Sequence, residues 1–298
     1  QSSSTVTSIV VGMVAAGTLT IQGAIPIVMG ANIGTSVTNS VVSIGSIARR
    51  DEFKKAFAAA TIHDYFNMLA VIILLPLQIW FNVLGYLSTR LSDLLMGSQG
   101  LHFESPLKAI VDPLASTLVH ILNDNPFLVE IVAIGILFFS LKYIVTVLKS
   151  LVLSKVEAFF DKYLFKNMFT ALGFGILLTI IVQSSSVTTS LVVPLVGSGI
   201  LTLAQIYPYT IGANIGTTIT TILASLVTGE VSAVTVAFAH LLFNIMAGTV
   251  VLSVRPLRNI PLWVATKMSE IIYKDRWVAF VYVGNMFFII PLIIIFSG

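Results

Sequence analysis

Charged residues are absent from long stretches of this chain, and the polar residues that interrupt those stretches come in compact blocks. Met168–Val182 is an apolar run that stops at Gln183-Ser184-Ser185-Ser186, and a second apolar run follows. Residues 68–87 and 277–297 each approach the ~20 apolar residues that a membrane-spanning helix requires. Residues 231–254 contain no Asp, Glu, Lys or Arg. The pattern predicts an apolar arm over residues 1–12 and a turn marked by Gly17 and by Gly23-Ala24-Ile25-Pro26. A helix over 27–47, interrupted by Gly30-Ala31-Asn32-Ile33-Gly34-Thr35, comes next. A long helix over 56–87 contains Pro76, a residue that kinks helices. Residues 88–126 read as a loop with a short interfacial helix around Leu91, Leu94 and Leu95. Residues 127–153 form a span and 155–166 an amphipathic basic segment. Beyond them, 167–196 is a helix broken at Gln183–Ser186, 205–227 and 231–254 are spans, and a basic stretch over 255–276 precedes the last span.

The polar blocks repeat. Gln1-Ser2-Ser3-Ser4 recurs as Gln183-Ser184-Ser185-Ser186, and Gly30–Thr35 recurs as Gly212-Ala213-Asn214-Ile215-Gly216-Thr217, both 182 residues later. Aligned without a gap, residues 1–38 and 183–220 are identical at 20 of 38 positions, so the chain holds two copies of one unit. His63 and Asn67 recur as His240 and Asn244 at a spacing of 177, which makes the intervening loop of unit two five residues shorter. Unit one covers 1–87, a connecting region 88–166, unit two 167–254, and an interfacial segment with the last span 255–298. The apolar arm that precedes the motif in unit two has no counterpart before Gln1, so the sequence is expected to begin inside a helix.

Composition agrees with a membrane protein: 56% of residues are hydrophobic and 10% charged, against roughly 25% charged in soluble domains. Mean hydropathy is +0.99. The net charge of +3 sits in short loops, a topology signal that gives no sign of nucleic-acid binding. With no cysteine, a disulfide framework and a thiolate metal site are both excluded. Basic segments 49–55, 155–166 and 255–276 are expected in the cytoplasm and 88–126 outside. The chain must then pass from inside at residue 166 to outside at Gly229 through two elements. The count closes when one is a re-entrant hairpin broken at Gln183–Ser186. The expected fold is therefore an all-α integral membrane protein of two inverted-topology repeats with discontinuous, re-entrant hairpin helices.

Backbone groups freed at a helix break need protein, water or ligand as partners, because lipid offers none. Half-helix N-termini favour anions, and unwound carbonyls and hydroxyls suit a hard cation such as sodium. Two such breaks facing each other would line one pocket with Gln1, Ser2, Ser3, Ser4, Gln183, Ser184, Ser185, Ser186, Asn32, Thr35, Asn214 and Thr217. Small polar residues also serve close helix packing, which accounts equally well for single serines such as Ser8 or Ser190. His63/Asn67 and His240/Asn244 each share a helix face, either as a buried clasp or as direct ligand contacts. Asp64 has Leu241 as its counterpart and either pairs with Arg49, Arg50 or Lys54 or serves ion binding. Neither repeated block contains Lys or Arg, so a bound anion would need co-bound cations for neutralisation. Coupling between anion and sodium follows, with each strengthening the other.

The duplicated Gln-Ser-Ser-Ser and Gly-Ala-Asn-Ile-Gly-Thr blocks, with Ala-Phe-Ala-Ala-Ala-Thr-Ile-His-Asp-Tyr-Phe-Asn over 56–67, resemble the type II sodium–phosphate cotransporter family. The resemblance implies sodium-driven uptake of inorganic phosphate across a plasma or inner membrane, with sodium as the co-transported ion. It implies phosphate contacts from Ser2, Ser3, Ser4, Ser184, Ser185, Ser186, Asn32 and Asn214. Sodium would lie at Gln1, Gln183, Thr35, Ser36, Thr217, Thr218 and Asp64. The short, cysteine-free 88–126 segment differs from animal members and is similar to a bacterial one. A homodimer is left open. Rival readings are a sodium-coupled carrier of another small anion such as a dicarboxylate, an intramembrane hydrolase with Ser184 or Ser185 as nucleophile, and a channel.

Overall fold

The computed structural model describes residues 2–96, 106–123, 125–129, 131–132, 136 and 165–297, and every helix and strand assignment among them is helical. Gln1, most of the expected span 127–153 and the amphipathic segment up to residue 164 lie outside the described residues. In order, the helices are α1 (Ser3–Ala15), α2 (Ile21–Thr35), α3 (Val37–Ile44), α4 (Arg50–Phe81), α5 (Val83–Met96), α6 (Pro106–Ile121), α7 (Met168–Val182), α8 (Ser185–Gly197), α9 (Leu203–Thr228), α10 (Val231–Ser253), α11 (Arg255–Lys274), α12 (Trp277–Gly284) and α13 (Ile290–Ser297). A π-helical turn, Asn285–Ile289, joins α12 to α13.

Among the described residues five stretches are long and apolar enough to cross a membrane: Ile21–Ile44, Arg50–Phe81, Leu203–Thr228, Val231–Ser253 and Trp277–Ser297. The apolar helices α1, α7 and α8 are shorter, at 13, 15 and 13 residues. At 1.5 Å per residue they reach only about 20 Å, against a hydrocarbon core of about 30 Å.

The two units share local structure position by position. Helix α1 begins at Ser3 and α8 at Ser185, each capped by the preceding serine: Ser2 Oγ accepts from Thr5 N at 3.3 Å and Ser184 Oγ from Val187 N at 3.4 Å. Both helices end at a glycine with positive φ, Gly17 at 71° and Gly199 at 82°. That geometry carries a strong preference for glycine. Thr20 and Thr202 then cap α2 and α9.

Three expectations need correction. Gly23–Pro26 is not a turn. Thr20 Oγ1 accepts from Gly23 N at 3.2 Å and starts α2 at Ile21, so the Pro26 ring falls within the helix, as Pro208 does in α9. The long helix ends at Phe81 and not at 87, because Asn82 takes left-handed φ 49°; Gln78 then bonds the Leu84 and Gly85 amides, and α5 starts. Residues 88–126 contain the rest of α5 and all of α6, so this stretch is largely helical among the described residues.

Packing exchanges elements between the units. Helix α11 lies along α4, and its sequence-order counterpart α5 lies along α10. Likewise α8 packs on α4 and α1 on α10. The first half of α4 is enclosed, with Phe53, Phe57, Ile62 and Phe66 each no more than 1% exposed. The last helix is apolar on its open side, where Ile293, Ile294, Ile295 and Phe296 are all at least 60% exposed, as a lipid-facing span requires.

Candidate functional site

The polar tetrapeptide of unit two is a true break. Helix α7 stops where Gln183 adopts φ 52°, and α8 starts one residue after Ser184. Its N-terminal amides therefore point into the break, as do those of α1 behind Ser2. Thr35 joins the two breaks. Its Oγ1 accepts from the Ser3 amide at 3.0 Å, and its carbonyl faces the Ser186 hydroxyl at 3.5 Å. Gln183, Ser184 and Ser186 are half-buried, and Ser3, Ser4 and Ser185 are buried. The Ser3, Ser4 and Ser185 hydroxyls make no hydrogen bond among the described residues and are not sealed from the surrounding space.

Unit one carries a second interruption that unit two lacks. Helix α2 ends at Thr35, Ser36 is a single turn residue with φ −76° and ψ −11°, and α3 starts at Val37, whereas α9 runs unbroken past Thr217 and Thr218. Ser36 lies beside Asp64, which is fully buried. Asp64 Oδ2 accepts from the Tyr282 hydroxyl of α12 at 2.8 Å, and Oδ1 has no hydrogen-bond partner. Among the described residues Asp64 makes no ion pair with a basic residue at the helix start: Arg49 binds Glu52 at 2.8 Å and Lys54 lies over the Tyr273 ring. A buried carboxylate oxygen without a donor is unfavourable unless a proton or cation joins it. Thr35, Ser36 and Asp64 thus come together, and Thr217 and Thr218 stand at the equivalent place in unit two, each hydroxyl bonded to its own helix.

Behind the breaks lies a symmetric hydrogen-bonded clasp. Asn214 of unit two holds unit one: its Oδ1 accepts from His63 Nε2 at 2.7 Å and its Nδ2 donates to Asn67 Oδ1 at 2.6 Å. Asn32 of unit one holds unit two: its Nδ2 donates to Asn244 Oδ1 at 2.7 Å and its Oδ1 accepts from His240 Nε2 at 3.3 Å. The far ring nitrogens, His63 Nδ1 and His240 Nδ1, meet Asn39 Nδ2 at 3.4 Å and Thr221 Oγ1 at 3.1 Å. Asn39 and Thr221 then meet Thr189 and Thr7, whose hydroxyls also face the Ser185 and Ser4 carbonyls. A neutral imidazole protonated at Nε2 satisfies both nitrogens of each ring. Each Asn of the glycine-rich block therefore reads the His and Asn one turn apart on the partner unit's helix, and the network runs back to both tips.

The glycines of the second block serve packing. A Cβ on Gly212 would collide with the Leu172 carbonyl, and one on Gly175 with the Tyr209 carbonyl, so α7 and α9 touch backbone to backbone. In unit one a Cβ on Gly30 would meet nothing within 4 Å. Gly212→Ala is therefore expected to lower stability by ~1–3 kcal/mol, as overpacking does. Gly30→Ala should be close to neutral. Thermal unfolding of the two purified variants checks this; equal shifts would contradict it.

With this geometry in view, the chain can be set beside known proteins. A family model described as Na+/Pi-cotransporter matches residues 1–101 and 136–260. The chain belongs to the Na+/Pi-cotransporter family. Among relatives of this Na+/Pi-cotransporter chain, sodium-dependent phosphate transport protein 2B of Homo sapiens is 31% identical over 386 residues, covering 98% of this chain and 56% of that protein. The 2B protein of Bos taurus is 33% identical over 392 residues, with 98% and 56% covered. Sodium-dependent phosphate transport protein 2A of Rattus norvegicus is 32% identical over 371 residues, with 99% and 58% covered. The chain spans somewhat more than half the length of these curated relatives. No solved structure matches it.

Within this Na+/Pi-cotransporter chain the expected residues fall into three groups. The serines of both tetrapeptides, with Gln183 and Thr35, surround the breaks. Ser36 and Asp64 lie beside them, in contact with the last span. Asn32 and Asn214, expected as anion contacts, have both ends of their side chains engaged in the clasp. Sequence reading missed Thr7, Thr189, Asn39, Thr221 and Tyr282. The first four stand in register at 182, so the repeat itself could have revealed them.

Proposed function

We propose that this chain forms the core of a sodium-driven carrier that takes inorganic phosphate into the cell across its surface membrane by alternating access. The observation that carries this reading is the meeting of both polar breaks at Thr35. Phosphate binds between the breaks, held by serine hydroxyls of both units and by the amides that open α1 and α8. Ser3, Ser4 and Ser185 supply the free donors, and Ser186 can turn its hydroxyl from the Thr35 carbonyl to the anion. Ser2 and Ser184 accept backbone amides as caps and keep a hydroxyl proton to give. Asn32 and Asn214 act by holding the breaks in place. Sodium is bound by Gln183, Thr35, Thr217 and Thr218 near the phosphate, by Ser36 with Asp64 in unit one, and by Gln1, which lies outside the described residues. The names of the relatives, sodium-dependent phosphate transport proteins, support both substrates.

Helices α7 and α8, too short to cross, form a hairpin that enters and leaves on one face, and α9 then crosses. This places the loop after unit two opposite that after unit one, and the units are inverted about a pseudo-twofold axis. The exchanged packing of α5 and α11 fits that axis. A hydrolase is disfavoured because both nitrogens of His63 and His240 face Asn or Thr, leaving neither ring to activate a tip serine.

The test is uptake of radiolabelled phosphate into proteoliposomes under an imposed sodium gradient. Uptake should collapse when potassium replaces sodium, and arsenate should compete while succinate does not. Competition by succinate alone would reassign the carrier to dicarboxylates. In the same assay, single Ser→Ala changes at Ser3 and Ser185 should each lower apparent phosphate affinity about tenfold, from the loss of one hydrogen bond to a charged group. Gln183→Gly keeps the left-handed backbone available while removing the side-chain amide. It should shift the sodium activation curve more than the phosphate curve, and a shift confined to phosphate would reverse that assignment.

A further inference from the structure

A cavity of about 370 Å³ lies at the start of α7 and α9, away from the serine breaks, and nothing in the transport reading uses it. Lys166 and Arg258 border it, with Asn167, Gln205, Tyr207 and Asn259, and no Asp or Glu does among the described residues. Two helix N-termini open there: Asn167 caps α7, and Gln205 is the third residue of α9. Helix N-termini present partial positive charge. Tyr207 borders the cavity, is 1% exposed, and keeps its hydroxyl sealed with no hydrogen-bond partner. The fold does not demand a polar group at this position, because unit one places Ile25 where unit two has Tyr207, and Gly23 where unit two has Gln205.

A second space, an apolar groove of about 350 Å³, adjoins the first, and the two share Met168 and Leu252. Phe169, Ile215, Ile245 and Thr249 line the groove. Phe169 is 77% exposed and Ile245 41%, so the groove opens sideways on a face that meets lipid. Inorganic phosphate would satisfy the polar cavity and leave the groove without an occupant. A phospholipid fits both at once, with the charge sign set by Lys166 and Arg258. Basic pockets between membrane helices hold anionic head groups by this chemistry.

We propose that this paired cavity and groove bind one anionic phospholipid. Its phosphate lies between Lys166 and Arg258 and accepts from the opening amides of α7 and α9. One acyl chain fills the groove toward Ile215. The lipid thereby ties α11, which supplies Arg258, to the base of the α7–α8 hairpin.

The test uses the purified chain in phosphatidylcholine nanodiscs to which phosphatidylglycerol is added stepwise, read by thermal unfolding midpoint and by native mass spectrometry of retained lipid. Wild-type protein should gain stability saturably and retain one phosphatidylglycerol. Lys166→Gln with Arg258→Gln should weaken that response about tenfold or more, from the loss of charge-assisted bonds. Thr249→Trp, which fills the groove and leaves both cations in place, should weaken it too. Wild-type lipid response in either variant would overturn the proposal. So would equal stabilisation by inorganic phosphate in phosphatidylcholine discs, which would make the ligand a free anion. If the double-charge variant does not fold, the Thr249→Trp variant and the phosphate control decide between these outcomes.

Discussion

Replacing His63 with alanine is expected to destabilise the protein by ~2–6 kcal/mol, since it leaves two buried groups without partners at ~1–3 kcal/mol each. Those groups are Asn214 Oδ1, 2.7 Å from His63 Nε2, and Asn39 Nδ2, 3.4 Å from Nδ1. No water can replace the ring without a polar path, and His63 is itself 0% exposed. The loss should not stay local. Asn214 also holds Asn67, and Asn39 also holds Thr189, whose hydroxyl faces the Ser185 carbonyl at the break. Transport should therefore fall even at temperatures where the variant stays folded. His240→Ala should act alike through Asn32 and Thr221. The decisive measurement is a double-mutant cycle of His63 with Asn214, read by thermal unfolding in detergent. A coupling of ~0.5–3 kcal/mol is expected for groups in one network. Strict additivity would mean that the clasp is not a unit.

Asp64→Asn should leave sodium-dependent phosphate uptake running but move one fewer positive charge per phosphate. The acid is the sole formal charge at the paired breaks among the described residues, and its Oδ1 has no donor, next to the helix interruption at Ser36. Its counterpart in unit two is Leu241, beside an unbroken α9, so an ion site here belongs to one repeat only. Asparagine keeps the size and an oxygen for Tyr282 while removing the charge that the proposed ion would meet. Each charge carried through the field couples uptake to voltage by ~2.3 kcal/mol per 100 mV, so the variant should lose one such increment of voltage dependence. Simultaneous current and radiolabelled uptake at fixed voltage give the charge-to-phosphate ratio. An unchanged ratio would make Asp64 a structural acid held for Tyr282.

Much of this arrangement was legible in the chain because it is written twice. The spacing of 182 places Ser2 and Ser184, Gly17 and Gly199, and Thr20 and Thr202 in matched roles, and the spacing of 177 pairs the two clasp histidines. The misreadings have physical causes. Pro26 marks a turn in most contexts, but the Thr20 cap six residues earlier starts α2, and Pro26, its sixth residue, removes one backbone bond without ending the helix. Asn82 ends α4 through a left-handed φ that no run of apolar residues signals. The break at Ser36 was invisible because Thr35-Ser36 and Thr217-Thr218 are nearly the same pair of side chains. Their different fates depend on what packs beside them. Tyr282 sits in a span whose apolar face gives no periodicity to tell which side meets α4. The engagement of Asn32 and Asn214 with the partner unit needed three-dimensional contacts, since both a ligand role and a clasp role suit a buried amide.

The central claim is that two breaks from two repeats make one phosphate site that sodium completes. Equilibrium binding of radiolabelled phosphate to the purified chain tests it most directly, titrated in saturating sodium and again in potassium. The account predicts one phosphate per chain, weakened about tenfold by Ser3→Ala and by Ser185→Ala alike, and no measurable binding in potassium. Two phosphates per chain, a site sensitive to the serines of one unit only, or equal affinity in the two salts would contradict it.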